Sequence, residues 1–251
     1  FDPQVSGAHD GALQLDQRQF LLRGTAVTPS FPKPRLVIDP VNLQGGQQAK
    51  ISVRLSAAAS ATGAGQLTVE FKTSVPGKAE DPAVLFPASG NRTIGFSITK
   101  GEDIGRFGGK ADTEFQTGTT AGTLTFTVRL GSHTEQFTAE VAPGPAKIDS
   151  VQTIRAASGL DVRVAGFDTS RSPTRLSFTF FDREGRAVAP GSIPVDVFSA
   201  FRQYFETAEF GGMFTVRAVF PVAGNVLQIT AVEVEITNSL GATRFPRTMI
   251  P

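Results

Sequence analysis

The residue types able to do chemistry in this sequence are carboxylates, two histidines and one lysine–asparagine pair. Residues 101–114 hold four carboxylates, Glu102, Asp103, Asp112 and Glu114, in a Gly-rich stretch. Hard cations such as calcium take several oxygen ligands from a turning backbone, so this loop is the candidate cation site. Arg106 and Lys110 lie among the acids and the spacing matches no calcium loop. A solvated loop with local ion pairs is therefore the default expectation. Asp161, Asp168, Asp182 and Glu184 are available for an acid–base pair, but any β-sandwich brings some two carboxylates together, and without geometry they carry no signal. His9 and His133 are the only histidines and cysteine is absent, which leaves a zinc site short of ligands. His133 falls at a turn and is expected in solvent. Lys147 and Asn238 have about the placement of an isopeptide bond between first and last strands, although Asn238 reads better as a turn residue. No Ser-centred elbow, phosphate loop or metalloprotease helix is present. The expectation is a chain that is not an enzyme, with no catalytic residue, cofactor or metal.

The elements that would hold these groups are strands. Leu124, Phe126, Val128 and Leu130 alternate with Thr125, Thr127 and Arg129, the period of a strand with one face buried. Gly131 and Ser132 mark a tight turn, and Phe137, Ala139 and Val141 continue the alternation. Pro143-Gly144-Pro145 then stops the sheet, because proline cannot donate to a ladder. Upstream, residues 36–38, 51–55, 67–71, 84–86 and 94–98 read as further strands between turn signals. Downstream, 148–154, 160–164, 176–180, 193–197, 214–220, 232–236 and a short segment near Phe245 repeat the scheme. One stretch breaks it: Phe198, Phe201, Phe205 and Ala208 have helical spacing, with Ser199 as N-cap and Gly211 beyond the end. That helix is expected to cap the open end of the second unit with its phenylalanine face.

Composition bounds the function. The 251 residues carry a net charge of +1, so no global field draws the chain to nucleic acid or anionic lipid, and basic residues form no stripe. No apolar run is long enough to span a bilayer. Gly 26 and Pro 16 exceed the ordinary combined share of about 12%, as suits a loop-rich β protein. Phe 21 against Tyr 1 and Trp 0 fills cores but supplies few exposed aromatic platforms, which disfavours a sugar-stacking face. The chain starts at Phe1 rather than Met, which reads as a mature exported chain or a trimmed piece.

Residues 1–34 do not look like a full domain. Leu13 and Leu15 alternate with polar neighbours and Phe20-Leu21-Leu22 follows, reading as one bent strand or a loose hairpin. Packing on the first domain is the plain expectation. The sharper one is that residues 12–27 add a strand to a neighbouring subunit, with Leu13, Leu15, Phe20 and Leu22 entering its groove. Residues 29–34, Pro-Ser-Phe-Pro-Lys-Pro, form a stiff linker.

Residues 35–142 resemble a bacterial immunoglobulin-like repeat of large exported surface proteins. The matching pieces are Leu36-Val-Ile-Asp-Pro40, Gly45-Gly46, Asp81-Pro-Ala-Val-Leu-Phe-Pro87 and residues 117–128. Residues 148–245 are similar to a companion module, through residues 197–204, Phe210-Gly-Gly-Met-Phe214 and residues 232–241. The expected fold is all-β: two immunoglobulin-like β-sandwiches in tandem, 35–142 and 146–251, with one short helix in the second and a strand-like extension over 1–34. The short link should hold the two at a preferred angle as an elongated rod. The resemblance implies spacers, adhesive stalks or assembly units outside the bacterial cell. The expected partners are copies of the same chain or other surface proteins. A glycan bound by loops at the sandwich ends is the alternative.

Overall fold

The computed structural model describes residues 7–26, 30–77, 80–156 and 159–251. Phe1, Val27 and Pro29, which figure in the reading of the N-terminal segment, lie outside the described residues. Among the described residues, two strands, β1 (Gly7–Leu15) and β2 (Arg18–Ala26), pair only with one another.

The first sandwich contains β3 (Pro34–Asp39), β4 (Gln48–Leu55), β5 (Gly63–Thr73), β6 (Thr93–Ile98), β7 (Thr113–Gln116), β8 (Gly122–Leu130) and β9 (His133–Val141). One sheet has the order β3-β4-β7 and the other β6-β5-β8-β9. The second contains β10 (Lys147–Ala156), β11 (Gly159–Phe167), β12 (Pro173–Phe181), β13 (Ala187–Asp196), α1 (Phe198–Thr207), β14 (Met213–Pro221), β15 (Ala231–Asn238) and β16 (Gly241–Met249). Its sheets run β10-β11-β14 and β13-β12-β15-β16. Strand for strand this is the same plan, three antiparallel strands facing four. The protein is all-β, two immunoglobulin-like sandwiches in tandem with one short helix in the second.

The alternating residues decide which face is core. Leu124, Phe126, Val128 and Leu130 on β8 are buried between β5 and β9, and Val232, Val234 and Ile236 do the same on β15. The β8–β9 turn is the two residues Gly131 and Ser132. Two expectations fail locally. Residues 84–86 are not a strand: Val84 and Phe86 are fully buried plugs in a bent segment. Ser199 is not the N-cap: Val197 holds that position, and Asp196 Oδ1 accepts from the Phe198 N–H at 3.0 Å, capping the helix a residue earlier. Of the two readings of the N-terminal segment, a bent strand or a loose hairpin, it takes the hairpin.

The two sandwiches differ at one lateral seam. In the first, residues 102–107 close the gap between the sheets. The Leu55 N–H donates to Asp103 O (2.7 Å) and the Gly105 N–H to Val53 O (2.8 Å), while Ser97 and Arg106 exchange backbone bonds with the other sheet. Phe107 is buried and lies 5.7 Å from the Phe96 ring. In the second, the gap lies between β13 and β14. The helix fills its first part: Phe201 and Phe205 are buried, Phe201 packs edge-on against Phe214 at 5.0 Å, and the Tyr204 hydroxyl donates to Met213 O at 2.9 Å. Beyond the helix, the inward side chains Ile193 and Val195 on β13 and Val216, Ala218 and Phe220 on β14 are only partly covered.

Candidate functional site: the hairpin and the module junction

The hairpin turns through Asp16 and Gln17, with Asp16 in the left-handed region at φ 52, a conformation Asp tolerates better than most residues. The register sets Leu13 opposite Phe20, Leu15 opposite Arg18 and Gly11 opposite Leu22. Facing partners share a face. Leu13, Leu15, Phe20 and Leu22 therefore stand together on one side, and they are 48%, 60%, 48% and 48% exposed. The other side carries Gln14 opposite Gln19 and a pair between Arg23 and Asp10 at 3.4 Å. All four residues singled out in the sequence are thus brought to one apolar face. Leu21 points the other way, opposite Ala12.

Past the hairpin, Phe31 lies over Gly63 and Gly131, at the end of the first sandwich that carries the β8–β9 turn. His133 is not simply solvated there: its Nε2–H donates to Phe31 O at 2.8 Å and holds the linker.

The opposite end of the first sandwich meets the second, through loops from both. Asp81 is wholly buried. Its Oδ2 accepts from the Thr119 N–H (2.7 Å) and hydroxyl (3.2 Å), and its Oδ1 from the Ala83 N–H (3.1 Å). Thr119 Oγ1 in turn accepts from the Gly212 N–H of the second sandwich at 3.0 Å. Gly211, at φ 64, lies so close to Asp81 and Thr119 that a Cβ would strike both. Thr169 O accepts from the Ala121 N–H at 2.9 Å, and Thr169 Oγ1 from the Gly144 N–H at 2.9 Å. The buried Arg171 donates to Pro76 O (3.2 Å) and Thr120 Oγ1 (3.4 Å) and lies 6.0 Å from the Phe205 ring. Burial lowers its pKa, opposed by the Asp81 charge.

Asn238 explains why no isopeptide geometry arises. Its Oδ1 accepts from the Leu240 N–H as a turn residue should, and its amide donates to Gly144 O (2.9 Å), Asp168 Oδ1 (3.0 Å) and Ser170 Oγ (3.1 Å). Lys147 Nζ lies instead 5.6 Å from the Phe167 ring. The proline–glycine link is thus tied to the second sandwich through Gly144, whose N–H and O are both hydrogen-bonded. The junction is made of buried hydrogen bonds between loops of both sandwiches, which are satisfied together only when the partners are in register.

The carboxylates do not converge. Among the described residues no three of His, Asp or Glu are grouped as metal ligands. Glu102 is held by Arg106 through two bonds of 2.9 Å, which depress its pKa. Asp161 is depressed by Arg217, and Asp182 by the Arg186 backbone N–H and then its side chain. Asp168 is used up by the Ser170 N–H and hydroxyl, the Ser172 N–H and Asn238. Glu102, Asp161, Asp168 and Asp182 thus each have a structural partner of their own. Sequence reading missed Asp81, Thr119, Arg171 and Gly212. Asp81 and Gly212 stand in an Asp-Pro and a Gly-Gly pair that look like ordinary turns, and Thr119 and Arg171 stand in polar turn segments that look equally ordinary.

Among the described residues no helix is long and apolar enough to cross a membrane. No family model matches the chain and no curated protein matches it. Of the solved structures, bovine butyrophilin is 14% identical over 86% of this chain and 99% of its own, with a TM-score of 0.25. A Salmonella alpha-2-macroglobulin reacted with methylamine is 12% identical over 98% of this chain and 18% of its own, with a TM-score of 0.27. The chain thus spans under a fifth of the Salmonella protein, and at these scores the likenesses carry no argument beyond the β-sandwich fold read from its own sheets.

Proposed function

We propose that this chain is a non-catalytic structural part of a fibre or stalk on the bacterial cell exterior, built from immunoglobulin-like modules, with the N-terminal hairpin as its connector to the next copy. The observation that carries this reading is the hairpin: four apolar side chains share one face, about half exposed, on a strand pair that among the described residues bonds to no other sheet. An isolated two-stranded hairpin is marginal in water, and covering such a face is the direct way to stabilise it. The junction supports the stalk half of the reading, since a coupling made of buried hydrogen bonds transmits orientation from one module to the next. The test is to remove residues 1–26 and compare particle size and electron micrographs with the full chain. The full chain is expected to form concentration-dependent assemblies and the shortened chain to stay monomeric. Assembly that persists without the hairpin would overturn the proposal.

A further inference from the structure

We infer that the half-open seam of the second sandwich, along the free edge of β14, receives the hairpin of another copy of this chain; this rests on the hairpin being a connector. The seam is an unfilled strand position. On β14, Val216, Ala218 and Phe220 point inward yet stay partly uncovered, as do Ile193 and Val195 across from them on β13. Where the helix reaches, the groove narrows to an apolar pocket of about 230 Å³ lined by Val197, Ala200, Phe201, Tyr204, Phe214 and Val216. Among the described residues β14 pairs with β11 alone, so its outer edge offers backbone donors and acceptors. The opposite wall is blunted, because Pro190 and Pro194 remove donors from β13. An incoming strand therefore adds to β14.

Three matches identify the occupant. β14, β1 and β2 are each nine residues long, about 30 Å of strand. The hairpin offers a row of alternate apolar side chains, which is what a groove beside an edge strand accepts. The charges also agree: residues 187–195 of β13 carry none, and the one charged residue of β14, Arg217, is turned outward onto Asp161 at 2.8 Å. The hairpin's own ion pair, Asp10 with Arg23, lies on its other face, and the one charged residue on the apolar face, Arg18, sits at the turn end opposite Leu15. In the first sandwich residues 103–105 pair with β4, the place β14 takes beside β11, and Arg106 goes on to bond with Ser97 of the other sheet; β14 has no such bond to β13 among the described residues. A second copy is the donor because the hairpin leaves the first sandwich at the end that carries the β8–β9 turn, while the second sandwich is attached at the other end.

The chain has no cysteine, so engineered thiols report cleanly. A Phe20→Cys chain mixed with a Val216→Cys chain under mild oxidation is expected to give a covalent two-chain product. Phe20→Cys mixed with Thr138→Cys, on the exposed edge strand β9, is expected to give none. In a second arm, Val216→Glu is expected to weaken assembly at least about tenfold, since a charge would be buried unpaired, with the far-ultraviolet circular dichroism retained. If the full chain never assembles, the connector reading fails and this inference with it. If it assembles and Phe20→Glu abolishes assembly, but Phe20→Cys cross-links to Thr138→Cys and not Val216→Cys, the connector stands and the seam is wrong. A dilution-independent cross-link inside a single chain carrying both Phe20→Cys and Val216→Cys would overturn the second copy as donor.

Discussion

The two sandwiches share a strand order and differ in how each closes the gap between its sheets. The first spends residues 102–107 on it, with backbone bonds to both sheets and Phe107 driven inward against Phe96. The second covers part of its gap with α1 and leaves Val216, Ala218 and Phe220 partly uncovered. Each part of an inward-facing apolar row left in water forgoes stabilisation of roughly 25 cal/mol per Å². The walls of the first seam are joined by backbone bonds, beside a polar cleft of about 600 Å³ lined by Lys50, Ile94, Phe107, Lys110 and Glu114; the walls of the second are bridged by side chains, and its cleft of about 230 Å³ is apolar.

The largest expected effect lies in the closed seam. Phe107→Ala removes a buried ring and opens the first module, at about 3–4 kcal/mol in urea unfolding. If the loss is below about 1 kcal/mol, the first seam is not closed by that segment and the contrast disappears. Next is the junction that neither module owns. Gly211→Ala places a methyl against Asp81 and Thr119 on a left-handed backbone, and is expected to cost about 2 kcal/mol and to change the inter-module angle in small-angle scattering. An unchanged scattering profile would mean that the modules are coupled through the proline–glycine link alone. In the open seam, Phe220→Ala is expected to cost only about 1–2 kcal/mol in the monomer, because part of that side chain never leaves water. A loss as large as that of Phe107→Ala would show the seam to be shut.

The smallest effects are electrostatic. Glu102, Asp161 and Asp182 are held below the ordinary carboxylate range by Arg106, by Arg217 and by Arg186. Their stabilisation is fully present above the unfolded-state pKa of about 4 and is lost as pH falls through the lowered folded values. Burial raises Asp149, which acts in the opposite sense. The urea midpoint should therefore fall modestly on acidification below about pH 4, and neutralising Asp161 with Asp161→Asn should flatten part of that slope. A midpoint that rises on acidification would contradict these pairings.

Much of the architecture was legible because the strand period is strong. β8 and β15 announce themselves by alternation, and the phenylalanine spacing of α1 survives the misplaced cap. Residues 84–86 misled because a short apolar run looks alike as a strand or as a buried bend. The hairpin's four apolar residues were legible as a set, but their common face depended on a two-residue turn that fixes the register. The junction was not legible. Asp81, Thr119 and Gly212 meet across 131 residues of chain, and neither an Asp-Pro nor a Gly-Gly pair says which distant hydroxyl it will meet. The role of residues 102–107 was hidden likewise, since their charges suggested a solvated loop while Ile104 and Phe107 reach the sheets.

The most direct measurement is amide hydrogen exchange along β14, compared between the full chain and a chain lacking residues 1–26, each at low and high concentration. The account predicts that residues 215–220 become protected only in the full chain and only at high concentration, with the outer edge of β9 unchanged. Equal exchange of residues 215–220 in both chains at every concentration would contradict it.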